Sequence, residues 1–354
     1  MTTTFKTFIR DENIKRFLVK TVLIAMALIF SLIFAVFAQE KTQPGQVTFL
    51  PPIGTHGTKA DSISFYASFN ILVGKTGGIK AIEFGGVSNI TKGDVNGAQF
   101  AGISNIVTGQ TNAIQSSGIV NVTHGLQGAQ FAGITNVNRG QAYGLQVAGI
   151  SNEAQDVNGA QIAGILNHAH KLSGFQLALI NVVDSLDGGV PLGLFSIVKK
   201  NGYRAVEISH NDAFLANVAV KSGAKSLYNT YHFRYTDKDN VKYYGLGLGL
   251  GALVPVTNQF SFNIDINGTQ VNIDEWWTNE LNMINRFELS ANLHVARYFT
   301  ITGGFALNVS VSQLKDEEGM LIGNPLVPEQ NFYEHISNNT ITTIYPGFNI
   351  GIRF

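Results

Sequence analysis

A nine-residue phrase returns along the middle of this chain: GAQFAGISN (97–105), IQSSGIVN (114–121), GAQFAGITN (128–136), GLQVAGISN (144–152), GAQIAGILN (159–167) and GFQLALIN (174–181), two copies being one residue short. With GGVSN (85–89) included, the closing residue recurs as Asn89, Asn105, Asn121, Asn136, Asn152, Asn167 and Asn181, at spacings of 16, 16, 15, 16, 15 and 14. A period this steady defines a repeat array, in which each copy buries its surface against the next. Such regularity specifies architecture before chemistry, because catalytic residues do not usually come in six copies.

Each phrase alternates as a strand does. In the copy at 128–136, Gln130, Ala132, Ile134 and Asn136 share one face, and Phe131, Gly133 and Thr135 share the other. The polar spacers between phrases, such as VNRGQAY, are long enough to turn the chain but too short for a helical crossover. Two architectures fit. In a β-solenoid, successive coils stack, the Asn residues form a ladder, and Ile103, Ile119, Ile134, Ile150 and Ile165 stack into a narrow core. In a barrel wall, the phrases are neighbouring antiparallel strands. Small Ala and Gly at the phrase centre and the constant period favour the solenoid. The repeated Gln and Asn are expected to be ladder and turn residues rather than ligands.

Composition narrows the surroundings. The 354 residues include no Cys, carry a formal net charge of zero and are only 14% charged, which argues against a disulfide scaffold and a basic nucleic-acid binder. About a quarter charged is ordinary for a soluble protein, so part of the surface is expected not to face water.

Residues 1–38 have the pattern of an export signal. Lys6, Arg10, Lys15, Arg16 and Lys20 precede an apolar run from Thr21 to Phe37, and Val36-Phe37-Ala38 before Gln39 offers a cleavage site. The alternative is a permanent anchor, since the run is at the short end of a spanning helix. Residues 39–61, with Pro44, Pro51 and Pro52, are expected to be a linker, 62–190 the glycine-rich repeat domain, and 191–354 a separate antiparallel domain.

After Pro191 the strands lengthen. Phe260, Phe262, Ile264 and Ile266 alternate with Ser261, Asn263, Asp265 and Asn267, and the same dyad runs through 286–295, 299–310 and 344–354. Strands of about ten residues suit a tilted bilayer crossing. Aromatic residues gather at strand ends (Tyr228, Tyr231, Tyr235, Tyr243, Tyr244, Tyr298), and short turns at 222–226, 255–259 and 296–298 oppose expected long loops at 236–240, 267–282 and 314–339. Eight strands are expected, at about 203–210, 213–221, 226–235, 241–252, 258–267, 283–296, 298–311 and 343–354. An eight-stranded barrel is just wide enough for side chains to fill, so Arg204, His232, Arg234, Asp265, Arg286, Glu288, His294 and Arg353 are expected to pair inside.

The repeats GAQFAGISN and GLQVAGISN, the approach FNILVGKTGGIKAIEFGGVSNITKGDVNGAQ and the passage PLGLFSIVKKNGYRAVEISHNDAFLANVAVKSGAKSLYNTY resemble the surface-repeat outer-membrane proteins of Bacteroidota-type Gram-negative bacteria. The likeness spans most of the chain after the leader. It implies location and architecture, and carries over no catalytic residue.

Signatures of chemistry are sparse. The sequence has no Walker loop, HExxH, nucleophile elbow or Cys nucleophile. GLGLGLG (245–251) alternates Gly with Leu as a strand packing small residues against a crowded interior, not as a phosphate cradle. His168 and His170 lack a nearby Cys or carboxylate cluster in sequence and are expected to decorate a turn, so no metal site is expected. Trp276 and Trp277 are candidates for surface contact with sugar or lipid headgroups, or for an aromatic belt. The expected function is a non-enzymatic protein of the cell outer membrane, with membrane lipid as one partner, an unidentified protein or glycan on the array, no nucleic acid and no cofactor. The alternatives are a barrel enzyme acting on lipid or peptide through Asp274, Glu275, Asp316, Glu317, Glu318, Glu334 or His335, and a passive transport barrel.

Overall fold

A computed structural model describes residues 20–21, 42–337 and 339–354, so the expected export signal falls almost wholly outside the described residues. The fold is all-β, and the chain divides into two compact units, Met1–Arg139 and Gly140–Phe354.

In the first unit the phrases form a β-solenoid-like stack. Each coil has two short strands, as in Val95–Ala101 and Ser104–Val107, and each pairs in parallel with its equivalents one coil away. Like residues meet in register, with Asn89 opposite Asn105, Asn105 opposite Asn121, and Asn121 opposite Asn136. The stack begins earlier than the composition suggests. Thr42–Leu50, expected to be linker, is a strand paired in parallel with Ser64–Asn70.

The apolar core differs from the expected Ile column. Ile103, Ile119 and Ile134 are 43%, 40% and 41% exposed, whereas Phe65, Ile79, Val95, Val107 and Ala113 form the buried cluster. A two-residue corner is the reason. The strand stops at Ala101, Gly102-Ile103 turns the chain, and pairing resumes at Ser104, so Ile103 sits in the corner and points out, while Gln99 and Asn105 on either side point in. The corner needs glycine: a Cβ on Gly102 would collide with Gly86 O, one on Gly118 with Gly102 O, and one on Gly133 with Gly118 O.

The second unit opens with the same parallel coils, where Asn152, Asn167 and Asn181 lie opposite one another. Ile150 and Ile165 face outward here too. The coils continue past 190 to Phe195–Lys200, which pairs with Ile180–Leu186.

The unit then changes to antiparallel pairing between eight long strands: Tyr203–Asn211, Ala216–Gly223, Tyr228–Lys238, Val241–Pro255, Phe260–Ile273, Asn282–Ala296, Phe299–Ser312 and Thr340–Arg353. Each pairs with the next, and Tyr203–Asn211 also pairs with Thr340–Arg353 from Glu207↔Arg353 to Asn211↔Asn349. A ninth strand that the sequence pattern did not reveal, Tyr333–Ser337, occupies the stretch of Thr340–Ile344 that Tyr203–Asn211 does not reach. The segment 236–240 is no long loop. Lys238 and Val241 are paired directly across a two-residue turn, with Asp239 and Asn240 at φ 56° and 64°, the left-handed conformation that such hairpins require.

The sheet buries its polar face and exposes its apolar one. Ser261, Asn263, Asp265 and Asn267 are buried while Phe260, Phe262, Ile264 and Ile266 are exposed. In GLGLGLG, Leu246, Leu248 and Leu250 face outward, and a Cβ at Gly251 would meet the Tyr228 ring and Asp265.

Candidate functional site

The array's polar side chains lie where an apolar core would ordinarily be. Gln99, Gln115, Gln130, Asn89, Asn105, Asn121 and Asn136 are all 0% exposed. A buried amide is tolerable only when its donors and acceptors are paired, and the stack pairs them coil by coil. In the first unit Asn70 donates to Asn89, Asn89 to Asn105, Asn105 to Asn121 and Asn121 to Asn136, each through Nδ2 to Oδ1 at 2.9 Å. The second Nδ2 hydrogen goes to the carbonyl just before the corner of the following coil: Asn89 to Phe100 O, Asn105 to Ser116 O and Asn121 to Phe131 O. The second unit repeats this, with Asn152 to Asn167 and Ile162 O, Asn167 to Asn181 and Leu177 O, and Asn181 to Leu192 O.

The Gln column is polarised the other way. Gln130 Nε2 donates to Gln115, Gln115 to Gln99, and Gln99 to Glu83 Oε2, each at 2.7 Å. Glu83, which also accepts from Asn70 and Thr91, is the carboxylate that ends the column, and burial raises its pKa above the usual carboxylate range.

The seven Asn residues singled out by spacing lie in a buried ladder, and the repeated Gln residues expected to do the same form the second column; sequence reasoning missed the carboxylate that ends it, Glu83, which stands at the Gln position of the phrase AIEFGGVSN (81–89). Position three of the phrase carried the signal, since Gln recurs there as regularly as Asn does at its end.

On the antiparallel sheet, charge is concentrated on the buried face in two balanced groups. Lys221 Nζ lies 3.1 Å from Glu207 Oε2 and 3.0 Å from Asp265 Oδ2, and Arg353 lies 2.6 Å from Glu207. The Tyr228 hydroxyl donates to Asp265 at 2.6 Å. In the second group Arg286 lies 2.6 Å from Asp212 and 3.0 Å from Glu288, while Arg234 donates to Thr269, Asn267 and Asn217. Phe214 packs with Leu326, Tyr243, Val271 and Ile284 in an apolar cluster, and the Arg234 guanidinium lies 5.7 Å from the centre of the Phe214 ring. Most of the side chains expected to pair with one another are buried and paired on this face. Arg204 does not: it is exposed and donates to Val198 O of the last coil. Lys221, Glu207 and Asp212 were the partners that alternation alone did not single out.

His168 and His170 do have a carboxylate partner, on the following coil. Asp184 Oδ2 lies 2.6 Å from His170 Nδ1, and Asp184 Oδ1 lies 3.7 Å from His168 Nε2. One ligand atom from each lies within 4.8 Å of the others, the only such group among the described residues. Lys199 Nζ sits 2.7 Å from Asp184 Oδ1 and, first among its neighbours, holds the carboxyl below its usual range. An ammonium already on the carboxylate makes this a surface ion-pair cluster rather than a cage for a cation.

Trp276 and Trp277 are exposed, but Trp276 stacks on Tyr244 and Phe233 at ring distances of 4.6 and 5.6 Å, within an aromatic group at the strand ends. Among the loop carboxylates, Asp274 accepts from Lys242 N of the neighbouring strand, Asp316 accepts from Glu318 N and Met320 N, as turn residues do, and Glu334 and His335 lie on the exposed strand Tyr333–Ser337. Comparison with family models, with curated proteins and with solved structures gives no match.

Proposed function

We propose that this chain is a non-enzymatic structural protein of the bacterial outer membrane, exported by its N-terminal segment. Its eight long strands form a closed barrel in the bilayer, and its repeat array serves as a binding or structural surface. One observation carries this proposal: the eight-stranded sheet exposes aliphatic and aromatic side chains while burying Lys, Arg, Asp and Glu. In water that arrangement is inverted, since apolar area prefers burial and charge prefers solvent. In hydrocarbon it is the required one. The pairing of the first strand with the last supports closure, because an open edge has no partner for its amides in lipid.

The paired charges and the apolar cluster around Phe214 crowd the buried face, which supports a structural role over passive transport. With an even strand count, both ends of the barrel share one side with the turns after Gly223, Pro255 and Ala296; the opposite side carries the two-residue turn at Asp239-Asn240 and also the longer connections after Ile273 and Ser312, for which it is read as the outer side in an outer-membrane topology. Trp276, Tyr244 and Phe233 then belong to the opposite aromatic girdle.

Refolding the full chain into detergent micelles tests the proposal. Unboiled protein is expected to migrate ahead of boiled protein in electrophoresis, as closed barrels resist denaturation. Identical migration, together with solubility without detergent, would contradict it. Alanine at Asp274, Glu275 and His335 tests the enzyme alternative: any hydrolysis of lipid or peptide lost in that variant would favour it.

A further inference from the structure

We propose that the corner edge of the coils in residues 140–200 is a second lipid-contacting surface, lying against the same bilayer as the sheet's exposed face. This rests on the outer-membrane proposal above and extends it from the barrel to the array.

Two columns of side chains line this edge. One carries Val147, Ile162, Leu177 and Leu192, and the other Ile150, Ile165, Leu179 and Leu194. Between them run the corner residues, Gly or Ala, so the edge presents no charged side chain. Side chains alone do not make a surface fit for hydrocarbon, because each unpaired backbone amide or carbonyl there costs several kcal/mol.

The Asn ladder answers that requirement from inside. The edge carbonyls of Ile162, Leu177 and Leu192 accept from Asn152, Asn167 and Asn181 at 2.8, 3.0 and 2.8 Å. The amides of Ile165, Ile180 and Phe195 donate to Ile150 O, Ile165 O and Leu179 O of the preceding coil. Buried polar amides under an exposed apolar edge are thus one device: the amides keep the edge backbone paired where water does not reach it.

The occupant follows from continuity. At the last coil the edge runs into the exposed face of the sheet. Tyr231 stacks on Phe195 at 5.8 Å, its hydroxyl donates to Leu194 O at 2.6 Å, and Asn229 donates to Gly193 O at 2.6 Å. Leu192 and Leu194 line one shallow cavity with Leu248 and Leu250. Asn229, Thr230 and Tyr231 lie between the leucines of the sheet and those of the coil, and the Asn229 amide and Tyr231 hydroxyl are paired with the coil's own carbonyls, so a bilayer that covers one set of leucines meets the other without an uncompensated charge between them. The opposite edge of the coils is polar, with exposed Asn158 and Asp187.

The test uses full-length protein with Trp276→Phe and Trp277→Phe, carrying a single new tryptophan at Ile165, Ile150, Leu248 or Asn158. Each variant is reconstituted into phosphatidylcholine vesicles with or without bromine on the acyl chains. Ile165→Trp, Ile150→Trp and Leu248→Trp are expected to lose about half their emission in brominated vesicles, and Asn158→Trp none, as burial of the edge in acyl chains requires. Quenching at Leu248 with none at Ile165 and Ile150 would overturn this inference and leave the barrel standing, whether water or a second copy covers the edge. Absence of quenching at all positions would overturn both proposals.

Discussion

Gln99 Nε2 donates to Glu83 Oε2 at 2.7 Å, and this contact fixes the direction of the Gln column above it. An amide column must end in an unpaired donor at one end and an unpaired acceptor at the other. The donor end falls on Glu83, which only accepts when ionised. In the second unit, Gln176 and Gln161 both donate toward lower residue numbers, and Gln176 Oε1 is left without a partner, the milder of the two defects.

The pH dependence of the array follows from Glu83. Burial raises its folded pKa above the unfolded value of about 4.3, so the folded state holds the proton more tightly. Stability is therefore greatest below the ordinary Glu range and declines as pH rises through the folded value. Glu83→Gln is expected to abolish that decline in thermal melts, since Gln does not titrate and its single side-chain oxygen still accepts from Gln99, while its amide nitrogen then faces the Asn70 donor. Glu83→Ala, which strands the donors of Gln99 and Asn70, is expected to lose about 2–4 kcal/mol. A pH profile unchanged in Glu83→Gln would count against this.

Asn121 and Ile119 separate the amide core from the core expected from alternation. Asn121→Leu removes two donated bonds and one accepted bond at 0% exposure, and is expected to destabilise by about 2–4 kcal/mol. Ile119→Ser, at 40% exposure, is expected to change detergent-state stability by no more than about 0.5 kcal/mol. The reverse ranking in chemical denaturation would restore the isoleucine core.

Gly118→Ala places a methyl group against Gly102 O and forces the coils apart. A loss of about 1–3 kcal/mol is expected, read as a lower thermal midpoint, because the obstacle is backbone rather than a side chain that can rotate away.

Lys221 holds two buried carboxylates at once. Lys221→Met is expected to destabilise the sheet by about 3–5 kcal/mol, and adding Asp265→Leu to recover part of that loss by removing the carboxylate left without a cation. A double variant no more stable than Lys221→Met alone would show that the pairing is not the source of the effect.

Much of this fold was legible in residue order, and the reasons are physical. All eight long strands were legible because the sheet separates oily from polar residues with a period of two, as at Phe260–Asn267, and no corner interrupts it. The array's period was legible through its Asn residues, but not which way its isoleucines point, because Ile103 sits in the corner between two strands and leaves the alternation that Gln99 and Asn105 keep. Asp184 escaped notice beside His168 and His170 because coil stacking, not chain proximity, brings it there. Thr42–Leu50 was hidden by Pro44, which a terminal strand tolerates.

Cell fractionation tests the central claim most directly. If the eight-stranded sheet is a lipid-facing barrel, the full-length protein sediments with outer-membrane vesicles, resists extraction by high salt and alkali, and is released only by detergent. Recovery in the soluble periplasmic fraction would contradict the claim, since a sheet with Phe262, Ile264 and Leu289 exposed would then have to be covered by something other than lipid.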